Sequence, residues 1–461
     1  MRINIILKRT LKTILFLVLL FVIISKGLEI WLEKNFEAMI NTNPQRAYNV
    51  IYKKFDLDRF FTGVTLKELK IEPLNLGASS LVTGQVDYAT LNGLVWFDLL
   101  FRKRLSIQEI AFIKPVFKVE MIKDSKTHKG GKGMQTMFGD ILSRADLKNF
   151  RLENGSVVLL DIETKDTIGQ VENIDMLAID LKTEDVQFNN LIPFQMGDIH
   201  IDIKKATFKL NEYTYFNLGS LKYNLKNKEI LLKNVELGYN KSWVAVSREQ
   251  GYQNDVIEFD AKEIGIHKLE PSSEFYTMLA IDAESVTIDG LNMKLQRNKN
   301  LPRMKDTIKP MFQDMINAIP VDLKLDSISI YNSSLSYGEL GLNKSKTGYV
   351  VLGNINGSIT GITNKRSHQE NIGSLHVNIS ATLQNKASLN IDLNAPYGKK
   401  SFQVDVKVDD MDFSDFNSTL KPLVGVEMLS GQIKRIQYHM EADSVWSKNH
   451  LVFDYKDLNL S

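Results

Sequence analysis

LKNFRLENGSVVLLD, residues Leu147 to Asp161, decides how the chain is read, because its pattern is written again as LDSISIYNSSLSYGE at Leu325 to Glu339. Leu147, Phe150, Leu152, Asn154, Ser156 and Val157 correspond to Leu325, Ile328, Ile330, Asn332, Ser334 and Leu335. In each copy alternating apolar residues predict a strand with one apolar face. The Asn-Gly or Asn-Ser pair predicts a turn, and a second alternating run predicts the returning strand. Each copy therefore reads as a hairpin. A hairpin with one apolar face does not stand alone in water, so a chain of such units buries that face by stacking neighbours or by covering something else.

The same texture extends in both directions. Upstream it appears as VTLKELKIEP at Val64 and LSIQEIAFIKPVFKVEM at Leu105, and between the copies as HIDIKKATFKL at His200, LKYNLKNKEILLKNVELGY at Leu221 and VIEFDAKEIGI at Val256. Downstream it continues through SLHVNISATL at Ser374, SLNIDLNA at Ser388 and SFQVDVKV at Ser401. Period-two alternation with polar alternates predicts a mainly β, mostly antiparallel protein whose sheets have one apolar and one wet face. Two stretches break the texture. MQTMFGDILSRADL at Met134 reads as a helix, and so does LPRMKDTIKPMFQDMINAIP at Leu301, with Leu301, Met304, Ile308, Phe312, Met315 and Ile319 on one face and Pro310 forcing a kink. Both stand just before a copy of the repeat, so the larger unit reads as helix then hairpin. IKDSKTHKGGKG at Ile122, with Lys123, Lys126, Lys129 and Lys132, reads as a solvated loop.

At the N-terminus Arg2, Lys8, Arg9 and Lys12 precede the apolar run ILFLVLLFVII from Ile14 to Ile24. A cleaved signal peptide and an uncleaved anchor both fit such a run. No small-x-small cleavage site follows in SKGLEIW, which favours the anchor. Leu11 to Trp31 reaches the roughly 20 residues that a span requires. Ile14, Leu17, Leu20 and Ile24 then face lipid, and Trp31 sits at the far interface. Positive charge before the span keeps the N-terminus cytoplasmic and sends the body across. From Leu28 to about Lys54 the spacing of Ile30, Phe36, Met39 and Ile40, then of Ala47, Val50 and Ile51, predicts an amphipathic helix or two, broken near Asn43 and Pro44. The chain thus divides into a cytoplasmic tip and anchor (1–31), a helical neck (32–56) and two β-rich parts (57–300 and 301–461).

Composition excludes several function classes. With 43% hydrophobic and 24% charged residues the chain is ordinary for a folded protein rather than a disordered one. The formal net charge is +2, and the four basic residues of the tip leave the rest at 2 − 4 = −2, the wrong sign for a nucleic-acid surface. Cysteine is absent, so disulfides, thiolate metal sites and a cysteine nucleophile are excluded. GGKG at Gly130 lacks the Ser or Thr of a phosphate-binding loop, since Gly133 takes that place. His128, His200, His267, His368, His376, His439 and His450 hold no ligand spacing and no HExxH frame. Asp409, Asp410, Asp412 and Asp415 lack the Gly and Glu of a calcium loop. The expectation is a protein with no catalytic residues, no metal and no cofactor.

The arrangement resembles the AsmA-like family of Gram-negative bacteria. The resemblance rests on the short anchor, GVTLKELKIEP at Gly63, the Pro-containing pair LSIQEIAFIKPVFKV, and Leu147 to Gly155. It also rests on IPVDLKLDSISIYNSSLSYGE at Ile319, LSGQIKRIQYHMEA at Leu429 and LVFDYKDLNL at Leu451. It covers nearly the whole chain, through patterns of apolar residues, Gly and Pro rather than an active-site signature. It leads one to expect further strand or helix beyond LVFDYKDLNLS. It implies a twisted sheet curled into a U-shaped groove, apolar within, standing in the periplasm from an inner-membrane anchor. Its partners would be phospholipid acyl chains and envelope or outer-membrane proteins, and its work the movement of phospholipid toward the outer membrane. Candidate groove liners are Leu66, Leu69, Ile71, Ile107, Ile110, Phe112, Phe150, Leu152, Ile328 and Ile330. Burying acyl chains on them recovers about 0.8 kcal/mol per CH₂. The rivals are a scaffold that assists outer-membrane protein assembly without transport, and an envelope enzyme.

Overall fold

A computed structural model describes residues 2–58, 62–75, 80–102, 104–121, 130–183, 194–270, 280–304 and 310–461. Lys123, Lys126, Lys129, His128 and Ile308 lie outside these residues, as does the side chain of Lys132. The protein is mainly β with an N-terminal apolar helix. It divides into two compact units, Met1–Ile201 and Asp202–Ser461, upstream of the border expected between 300 and 301.

Unit one begins with helix α1 (Arg2–Ile40), which runs beyond the expected anchor. The helical reading of the neck holds only that far. Past Asn43 and Pro44 the chain is extended as β1 (Tyr48–Ile51) and β2 (Lys54–Leu57), where a second helical turn had been expected. Side chains impose this. Asn41 donates to the Val50 carbonyl (2.8 Å) and accepts from the Val50 N–H, while the Asp140 carboxylate accepts from the backbone N–H groups of Ala47 and Tyr48. Both strands pair with β3 (Gly63–Pro73), followed by β4 (Ser80–Asn92), helix α2 (Trp96–Phe101) and β5 (Ser106–Met121). Helix α3 (Gly130–Leu142) then carries the chain to β6 (Asp146–Asp161), which β7 (Thr167–Ile179) follows. GGKG, expected as loop, forms the start of α3.

The opening repeat is not a hairpin. Leu147–Asp161 lies within one continuous strand, β6, that pairs parallel with β5 and antiparallel with β7. Asn154, expected at a turn, has φ 57° and bends the strand without reversing it. Glu68 in β3, Lys114 in β5 and Asn173 in β7 are left-handed too, and the strand pairings bring these positions into one row with Asn154. Each such residue slips the alternation by one. Buried Leu66 is succeeded by Leu69, Phe112 by Pro115 and Leu152 by Gly155. A slip in one strand alone would turn its apolar residues to the wrong face, but a slip shared along a row keeps them on the same side.

Strand β8 (Asp198–Lys209) contains the division between the units. Unit two continues through β9 (Thr214–Asn224), β10 (Glu229–Tyr239), helix α4 (Trp243–Gln250), β11 (Asp255–His267), β12 (Ala280–Asp289) and β13 (Asn292–Asn298). Of the helix expected from Leu301, the described residues show α5 (Phe312–Asn317), and Leu301 to Met304 is not helical. Next come β14 (Asp322–Leu340), β15 (Thr347–Thr363), helix α6 (Arg366–Ile372), β16 (Ser374–Leu383), β17 (Ala387–Pro396) and β18 (Ser401–Val408). The short β19 (Met411–Asp412), helix α7 (Asn417–Val424), β20 (Met428–Asp443) and β21 (Ser447–Leu460) end the chain.

The second copy repeats the first in space. β14 is again one long strand, left-handed at Asn332, and pairs parallel with β12 and β13 after a connection containing α5. Asn234, Gly290, Asn332 and Asn354 make its row of left-handed residues. The larger unit is therefore strand, helix-bearing crossover and parallel strand. The strands belong to one large sheet, mixed rather than purely antiparallel, because a parallel neighbour needs such a crossover.

Candidate apolar binding face

In unit one Leu66, Leu69, Ile71, Ile107, Ile110, Phe112, Phe150 and Leu152 all lie buried. The sheet alone does not bury them. Phe138 of α3 sets its ring against Phe117 (5.4 Å) and Phe150 (5.6 Å), and Phe150 meets Phe112 edge-on at 5.3 Å. Met137 of α3 and Leu32 and Phe36 of α1 are buried as well, and Phe36 packs on Phe55 at 5.4 Å. A narrow apolar cavity of about 60 Å³ remains, lined by Leu66, Leu69, Ile110 and Phe112 from the sheet and by Phe36, Ile40, Ile141 and Arg144 from the helical side. Ile71, Ile107, Phe150 and Leu152 are core residues away from that cavity.

Unit two treats its apolar face differently. Ile328 and Ile330 are only half-buried, and each sits within a row of paired apolar residues. Through Ile328 the pairs run Tyr223–Ile230, Ile230–Ile266, Ile266–Val286, Val286–Ile328, Ile328–Ile359 and Ile359–Val377, then Val377–Leu393, Leu393–Val404 and Val404–Met440. Through Ile330 a second row runs Leu221, Leu232, Ile264, Ile288, Ile330, Gly357, Ile379, Ile391, Val406 and Tyr438. Most of these residues are half-buried, although full burial is the usual state of core Ile and Val. At one side they merge with a buried cluster around Leu325, Ile362 and Ala395, joined by Ile316 and Ile319. At the other side lies a buried cluster around Ile355, Leu389, Phe413 and Ile433. An apolar strip two residues wide thus crosses the strands from β9 to β20 between two sealed borders.

The opposite face is wet. Ser358, Asn378, Asp392, Asp405 and His439 form a polar row beside it by the same pairings. Asn378 donates to Asp392 Oδ2 at 3.2 Å, and His439 Nδ1 stands 2.8 Å from Asp405 Oδ1, which raises the imidazole pKa above its ordinary value. Elsewhere burial, reinforced by Asp140, pushes the Tyr48 phenol up to about 12. Among the described residues no group of three His, Cys, Asp or Glu side chains is placed to hold a metal ion.

At the N-terminus Ile14, Leu17, Leu20, Ile24 and Trp31 are all exposed on α1. The helix from Lys12 to Ile40 is long and apolar enough to cross a membrane. The row through Ile328 and Ile330 was visible in the sequence at those two positions only; its extent depends on strand register, which alternation does not fix. No protein-family model matches the chain, and no curated protein sequence matches it.

Proposed function

We propose that this is a membrane-anchored lipid-binding or lipid-transfer protein of the AsmA-like type. In this reading α1 stands in the inner membrane with its N-terminus cytoplasmic, and the β body lies in the periplasm, where it supports phospholipid movement to the outer membrane. The observation that carries the reading is the half-buried apolar strip from β9 to β20. Keeping such a strip hydrated is unfavourable, and an acyl chain laid across it recovers about 0.8 kcal/mol for each CH₂ it buries. A phospholipid headgroup remains in water, so the function needs binding surface rather than reacting groups.

The test is native mass spectrometry of the full chain released from phospholipid nanodiscs. Phospholipid retained on the protein after detergent exchange is the expected result. A chain that emerges free of lipid, while the strip accepts no photoactivatable acyl probe, removes the proposal. The second reading, an envelope scaffold without transport, draws on β21, where Leu451, Tyr455 and Leu460 are exposed on the last strand. Lipid-free protein that still captures an outer-membrane protein would favour it.

A further inference from the structure

Strand β21 pairs along one side with β20, and among the described residues no strand pairs with its other side. At the turn between them the Trp446 carbonyl accepts from the Asp443 N–H (3.0 Å). By the alternation of an antiparallel pair, the even-numbered residues from Trp446 to Asp454 therefore direct their backbone groups toward β20. Ser447, Asn449, Leu451, Phe453 and Tyr455 direct theirs outward. Such a row of outward N–H and C=O groups is a template for another strand, and a proline or a bulge commonly closes it. Here the first left-handed residue is Asp457, beyond the row.

The apolar face runs to this edge. Leu451 is the cross-strand partner of Tyr438 and so extends the row through Ile330; Phe453 is that of Ile436, and Tyr455 that of Ile433. Leu451 is 59% exposed. Phe453 and Tyr455 stand edge-on to the buried Phe413 at 6.0 and 5.8 Å. The opposite face of β21 carries Lys448, His450, Lys456 and Asp454, the last paired with Arg435 at 2.6 Å.

The edge is complementary to itself. A two-fold axis normal to the sheet at Leu451 sets a second β21 antiparallel to the first, with Ser447 opposite Tyr455, Asn449 opposite Phe453 and Leu451 opposite Leu451. Every outward backbone group from Ser447 to Tyr455 then has a partner. The same register places Lys448 opposite Asp454 on the wet face, twice by symmetry, and opposes no like charges. Moving the axis to Val452 opposes Lys448 with Lys456, and moving it to His450 opposes Asp454 with Trp446. The backbone and the charges thus select one register. Because the axis is normal to the sheet, the apolar faces of both copies lie on the same side, and the row ending at Tyr438 and Leu451 runs on into Leu451 and Tyr438 of the second copy.

We propose that two copies of this chain join edge to edge through β21, forming one sheet whose apolar strip is continuous across both. The pairing stands on backbone, charge and register, and holds whatever the strip binds.

The chain has no cysteine, so an introduced one reports the register. In the detergent-solubilised full chain, Leu451→Cys is expected to give a disulfide-linked dimer on mild oxidation. A hydrogen-bonded antiparallel pair holds its Cα atoms about 5.5 Å apart, within the roughly 4.4–6.8 Å that a disulfide spans. Asn449→Cys and Phe453→Cys each lie two residues from the axis, about 13 Å from their own copies, and are expected to crosslink only when the two variants are mixed. Leu451→Pro removes an outward donor that β20 does not use. It is expected to abolish the dimer in sedimentation velocity while keeping the circular dichroism spectrum; if it does not fold, the cysteine variants decide. A chain without these substitutions that sediments as a monomer throughout the micromolar range overturns the proposal. So does the absence of a link in Leu451→Cys, or equal linking at all three positions, as chance collision would give. A dimer indifferent to Leu451→Pro is held together elsewhere and overturns it too.

Discussion

Asn154 and Asn332 carry positive φ inside long strands, where most side chains would crowd the following carbonyl. The short Asn side chain tolerates that conformation, and a β-branched one does not. Asn154→Val should therefore cost about 1–2 kcal/mol in denaturant unfolding, while Asn154→Gly should be close to neutral. Equal costs for the two would mean that backbone conformation does not select Asn here. At His439 the prediction concerns charge. The hydrogen bond to Asp405, with Glu441 adding to it, raises the folded-state pKa above the ordinary 6.5. The pair therefore stabilises fully below that value, and its contribution is lost as pH rises through the raised one. NMR titration should show His439 losing its proton at higher pH in the native chain than in Asp405→Asn. Identical titrations would show that the cross-strand pair has no effect on the imidazole.

At the scale of elements, α3 closes the apolar face of β3–β6, and Met137 is its fully buried contact. Met137→Ala removes that filling and should lower stability by about 2–5 kcal/mol, with hydrogen exchange quickening in β3–β6. A change confined to α3 would mean the helix lies on the sheet without sealing it. Strand existence was legible from alternation, and so was the repeat, because the same slip recurs at Asn154 and Asn332. Its local form was not legible. Asn-Gly satisfies a hairpin turn and a left-handed bulge equally well, and only neighbouring strands with the same slip decide between them. Parallel pairing escaped for a related reason: it is set by where the crossover lands, and nothing in period-two patterning records that. The neck escaped too, because its apolar spacing fits a helix while Asn41 and Asp140 hold the backbone extended.

For the molecule as a whole, the question is whether the strip of unit two is a core left unfinished or a surface meant to be covered. Residues 377 and 378 separate the alternatives, since Val377 belongs to the apolar row through Ile328 while Asn378 faces the wet side beside Asp392. Val377→Lys places an ammonium in the strip, where its long stem can carry the charge only as far as the nearest water. If acyl chains lie there, retained phospholipid should drop at least about tenfold and the thermal stabilisation that lipid confers should shrink, because a ligand stabilises in proportion to the logarithm of its concentration over Kd. Asn378→Lys adds the same charge one residue away, opposite Asp392, and should leave both quantities unchanged. If instead the strip is an ordinary core, Val377→Lys should unfold unit two with or without lipid, and lipid retention should follow the loss of folded protein. The ratio of lipid to folded protein therefore distinguishes them: it falls for a binding surface and stays constant for a core.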